Sequence, residues 1–149
     1  MRPVNSDIRH LYLHLPVMKK RIQSYLIVAG VIVMFDAVAS AASRTLIVDY
    51  TKLSLVSYIL YVAMGYLGCK SFDLLSGIAA GFVAGLSDST IGWFLSSAIG
   101  PYIPFAQPKY TPLMVSVVII MVSVGGALFG LVGALLSRIV NRDSRFADT

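Results

Sequence analysis

Apolar residues fall into four long runs, separated by short polar or proline-rich breaks. The runs cover 22–43 (extending towards Val48), 53–69, 72–99 and 113–140. About 20 apolar residues in a helix cross the roughly 30 Å hydrocarbon layer of a bilayer, with a usable range of about 17–25. The second run sits at the short end of that range and the others exceed its middle. The pattern predicts an all-α fold, a polytopic integral membrane protein with a four-transmembrane-helix bundle, in one domain over residues 1–149.

The breaks are legible in their own right. Residues 1–21 form a basic lead in which Ile8, Leu11 and Leu15 recur at helical spacing, so 7–15 is expected to lie on the bilayer surface before Pro16 interrupts it. Asp49-Tyr50-Thr51-Lys52 is expected to be a polar turn, and Lys70-Ser71 a very short hairpin. Pro101, Pro104, Pro108 and Pro112 stiffen the third connection, 101–112, which reads as a rigid outer connector. The polar tail, 141–149, is expected to fray. The first run also loosely fits a secretory leader cleaved near Ser40; its long lead and long apolar stretch argue against that reading.

Composition sharpens the class. Hydrophobic residues make up 57% of the 149, and charged ones only 13%. A soluble domain carries about 25% charged residues, so membrane residence is the better account. The net charge of +5 is not a nucleic-acid signal, because the basic residues collect at the chain ends and no interleaved basic–aromatic surface exists. No nucleic-acid partner is expected; the expected partners are the lipid bilayer and a second copy or another membrane protein. With both ends inside (N-in/C-in), the inner side holds Arg2, Arg9, Lys19, Lys20, Arg21, Lys70, Arg138, Arg142 and Arg145, against Arg44, Lys52 and Lys109 outside. That is the positive-inside bias of a membrane protein. The expected location is the cytoplasmic membrane of a bacterium.

Two sets of small residues stand four apart: Gly77, Gly81 and Gly85 in the third helix, and Gly126, Gly130 and Ala134 in the fourth. In lipid, apolar side chains gain little from burying one another, so close backbone approach supplies the contacts. Counted from the inner end at 1.5 Å per residue, the first set lies at depths of roughly 8, 14 and 20 Å and the second, reversed, at roughly 17, 11 and 5 Å. The two helices are expected to pair along these grooves. The alternative is that a groove mates with another protomer.

Asp36 and Asp88 are the acids at membrane depth, roughly 21 and 24 Å from the inner edge. Ala29, Asp36, Ser40 and Ser43 share one face of helix one, and Ser87, Ser89 and Thr90 surround Asp88. A carboxylate there costs about 2.5–3.5 kcal/mol on insertion scales. It therefore needs a bound proton or cation, a hydrogen-bond partner, or an ion pair such as Arg44. Asp36, Asp88, Ser40, Ser89 and Thr90 are the candidate ion- or proton-handling residues. Tyr61, near the middle of its helix, needs a hydroxyl partner.

Other chemistry has little support. His10 and His14 share a helix face, but two imidazoles fall short of a zinc ligand set, and no metal or cofactor is expected. The single Cys69 has no internal disulfide partner and reads as a small apolar residue. No nucleophile, metalloprotease, dithiol or phosphate-loop motif occurs, and no motif of an aspartic protease surrounds the two acids, so the chain is not expected to be an enzyme. Two roles remain: a small ion- or proton-coupled transporter or channel using Asp36 and Asp88, or a non-catalytic membrane subunit whose glycine grooves hold a partner.

Overall fold

Four helices make up most of the described chain. The computed structural model describes the backbone of residues 5–104 and 110–147 and the side chains of 16–104 and 110–141. In order they are α1 (Asn5–Leu46), α2 (Tyr50–Ser71), α3 (Leu74–Ile99) and α4 (Pro112–Ala147). All four contain a segment long and apolar enough to cross a membrane, which suggests a multi-pass membrane protein.

Several boundaries differ from the sequence pattern. One helix of 42 residues holds both the described part of the basic lead, from Asn5, and the first apolar run, with Pro16 inside it. Proline removes a single N–H bond and crowds the preceding turn, and that local loss does not stop the helix here. The polar turn at 49–52 shrinks, because Asp49 caps α2: its side chain accepts the Thr51 N–H at 3.0 Å, so the helix starts at Tyr50. The next break falls at Phe72-Asp73 rather than Lys70-Ser71 for the same reason. Asp73 accepts the Ser76 N–H at 2.7 Å and starts α3. At the far end α4 runs on to Ala147 instead of fraying after Val140; no glycine or proline stands between 141 and 147 to stop it.

Helix α3 is not uniform. Its first part, Leu74–Ser87, is α-helical; Asp88–Gly92 forms a wide π turn; Trp93–Ile99 resumes the α-helix. Gly100 closes it in the left-handed conformation, with φ 72°, and returns its N–H to the Ser96 carbonyl at 3.0 Å.

The tightest packing joins α2, α3 and α4, while α1 lies chiefly against α3. The core holds few large side chains: Val28, Ile32, Tyr61, Ala80 and Ala84 form its buried cluster. Bare backbone fills the remaining seam. A Cβ added to Gly81 would stand 2.6 Å from the Gly130 Cα, and Gly81 also touches Gly126. One added to Gly77 would stand 2.8 Å from the Ala134 Cβ. Gly85 faces Val122 and Ser123. These grooves are thus occupied within the chain rather than left open for a second protomer. Helix α2 joins the seam through Gly65, whose added Cβ would lie 2.5 Å from the Gly130 Cα.

Candidate functional site

Along α1 one face changes from apolar to polar. Val28 and Ile32 are buried, and the same face then presents Asp36, Ser40 and Ser43, exposed by 2%, 0% and 0%. Ala29 is only half-buried. Asp36 is therefore turned into the bundle.

Asp88 meets it from α3, at the first residue of the π turn. Asp36 and Asp88 are neighbours across the α1–α3 seam, close enough for their carboxyls to interact. A missing side chain makes room for this: a Cβ on Gly92 would collide with Asp36 Oδ2 and stand 2.9 Å from its Cγ. The π turn places an extra residue in this stretch of helix, a distortion that recurs at functional sites. From α2 the Tyr61 hydroxyl donates to Asp88 Oδ2. Tyr61, only 1% exposed, is held edge-on by Tyr58 at 6.1 Å, and Tyr58 stacks on Phe129 at 4.9 Å.

No cation offsets the two acids among the described residues. Arg44 pairs with neither; its Nη1 donates to the Ile99 carbonyl at 2.8 Å. Asp36 Oδ2 and Ser40 Oγ are buried without a hydrogen-bond partner among the described residues. Buried polar atoms are nearly always satisfied, so an acceptor and a hydroxyl left over beside a carboxyl pair require an explanation.

A cavity of about 200 Å³ opens on one side of the pair. Tyr50, Ser57, Tyr61, Asp88, Ser89 and Ser96 contribute its polar wall. A second cavity, about 310 Å³, shares Tyr50, Trp93 and Ser96 with it and continues to Gly100, Pro101 and Tyr110. Together they lead from Asp88 towards the 101–112 connection. Asp36 lines neither cavity and stands behind Asp88. The mouth is tied to the end of α1: Ser43 Oγ donates to the Val48 carbonyl at 2.6 Å and accepts the Tyr102 N–H at 3.1 Å, and the Tyr50 N–H reaches the Tyr102 carbonyl at 3.1 Å.

The sequence-derived candidates divide accordingly. Asp36, Asp88 and Ser40 come together, and Ser89 lines the cavity although its hydroxyl bonds back to the Gly85 carbonyl at 2.7 Å. Thr90 does not line it; its hydroxyl turns to the Leu86 carbonyl at 2.6 Å. The side chains of His10 and His14 lie outside the described residues. Sequence reasoning missed Tyr50, Ser57, Ser96 and Gly92. A signal existed for two of them, since Tyr50, Ser54, Ser57 and Tyr61 recur at spacings of four, three and four on one face of α2. Gly92 and Ser96 depend on the π turn.

No protein-family model matches the chain, and neither the curated proteins nor the solved structures contain a match. The site's role therefore rests on its own chemistry.

Proposed function

We propose that this chain crosses a membrane four times with both ends inside, and that Asp36 and Asp88 form the cation-handling centre of a small transporter, the cation being a proton or a monovalent ion. One observation carries the reading: two neighbouring carboxyls within helices apolar enough to cross a membrane, without a basic partner among the described residues, behind a hydroxyl-lined cavity. Two unit charges about 4 Å apart at an effective dielectric near 20 repel by roughly 4 kcal/mol. A shared proton or cation removes that repulsion and satisfies the leftover acceptor on Asp36. The two groups then exchange the cation as one unit.

Asp88 receives the cation from the cavity and Asp36 shares it from behind. Beyond Asp36 the face of α1 turns apolar at Ile32 and Val28, so the polar path ends at the pair. A path closed at one end suits a transporter that alternates its access better than an open channel. Apposed aspartates also serve aspartic proteases, but Asp36 does not line the cavity, and a peptide placed there would not meet both carboxyls.

In proteoliposomes under an imposed proton, Na⁺ or K⁺ gradient, the native protein should dissipate one of the three, and Asp88→Asn should not. A native protein that dissipates none would remove the reading. A second role, as a non-catalytic subunit packed against a membrane partner, is favoured by Gly30 and Gly125, where an added Cβ would meet no atom of another helix within 4 Å. A partner co-purifying in fixed stoichiometry, with no flux in the liposomes, would support it.

A further inference from the structure

At the other end of the bundle lies a larger cavity, about 480 Å³, formed where α2 ends, α3 begins and α4 leaves its apolar segment. Lys70, Phe72, Asp73, Ser137, Arg138 and Asn141 line it. Its one acid is already engaged: Arg21 Nη2 reaches Asp73 Oδ2 at 2.6 Å, and the Ser76 N–H takes the other oxygen at 2.7 Å. Arg21 also lies over the Phe72 ring at 5.4 Å, and its buried Nε has no acceptor among the described residues. Neither Lys70 nor Arg138 has an acid partner among the described residues. Among the described residues, three cations against one acid thus leave a surplus of two positive charges around the recess. Ser137 and Asn141 add polar groups, with Asn141 Nδ2 3.3 Å from Ser137 Oγ.

We propose that this recess binds a phosphate ester between Lys70 and Arg138. The ester is carried by an acidic phospholipid or by a soluble compound. The surroundings favour the lipid: the residues beside the lining ones in sequence, Leu75 and Ile139, are large, apolar and exposed by 70% and 59%, where acyl chains would lie. Basic recesses between helices at the inner face are suited to such headgroups. The site is separate from the carboxyl pair and does not depend on it.

The test is thermal unfolding of the full chain in an uncharged detergent, with phosphatidylglycerol, phosphatidylcholine or inorganic phosphate added. Phosphatidylglycerol should raise the midpoint and phosphatidylcholine should not. Each charge removed should weaken binding about fivefold, so Lys70→Gln with Arg138→Gln should remove nearly all of the shift at lipid concentrations that half-saturate the native protein. Lys52→Gln, at the opposite end of the bundle, should keep it. A shift produced by inorganic phosphate alone, and lost in the same double variant, assigns the site to a soluble ester. Should the double variant fail to fold, Arg138→Gln compared with Arg138→Lys reads the same charge dependence. Equal shifts with the two lipids, or a full shift in the glutamine variants, overturns the proposal.

Discussion

Tyr61 illustrates how a single side chain can serve packing and the polar site at once. Its ring belongs to the buried cluster, while its hydroxyl donates to Asp88. Tyr61→Phe keeps the ring and removes only the donor. Interhelical hydrogen bonds in membranes average about 0.6 kcal/mol, and those to charged groups in proteins run to about 1.5–3 kcal/mol. The variant should therefore lose about 1 kcal/mol in reversible unfolding in detergent; unchanged stability would show that the bond does not hold in solution. Residue identity alone indicates that Tyr61 needs a partner, and counting helical rise brings Asp36 and Asp88 to a similar level. Room for the Asp36 carboxyl beside α3 depends on Gly92, whose lack of a side chain matters only once α1 lies against it. That meeting is tertiary and leaves no pattern in the sequence.

At the scale of elements, the four helices are legible as apolar runs, the pattern a membrane-spanning chain requires. Their ends are less so, because short-range capping decides them. Asp49 and Asp73 each look like turn residues, yet each is an N-cap that moves a helix start. The wide turn at Asp88–Gly92 is illegible for a different reason: its residues read as ordinary helix, and packing selects the longer hydrogen bond. Asp73 gives the element-scale prediction. The backbone N–H of Ser76, with further help from Arg21, holds its carboxyl below the ordinary carboxylate value of 3.8. A depressed value means that the group stabilises the fold above its unfolded pKa, and that this contribution is lost as pH falls through the folded value. Asp73→Ala should cost about 1 kcal/mol at neutral pH, as lost N-caps do. It should also flatten the fall in stability below about pH 4. The exposed side of the Arg21 ion pair adds little to this. An unchanged acid limb in the variant would contradict the assignment.

For the whole molecule, charge and polarity divide the bundle into two ends. One end carries Lys70, Arg138 and the Arg21–Asp73 pair around a basic recess; the other carries the cavities that lead to Asp88. If the basic end is the inner one, the cavities open outward and the carboxyl pair marks the depth to which they reach. A reporter fused to the carboxyl terminus should then read as cytoplasmic, and an outside reading would invert the direction of access.

The central claim is that Asp36 and Asp88 meet and hold one cation between them. A double-mutant cycle on unfolding free energy, with Asp36→Asn, Asp88→Asn and both together, tests it most directly. Groups in contact couple by about 0.5–3 kcal/mol, whereas distant ones add to within about 0.5 kcal/mol. Coupling of about 1 kcal/mol or more is the result expected here; two effects that simply add would contradict the claim.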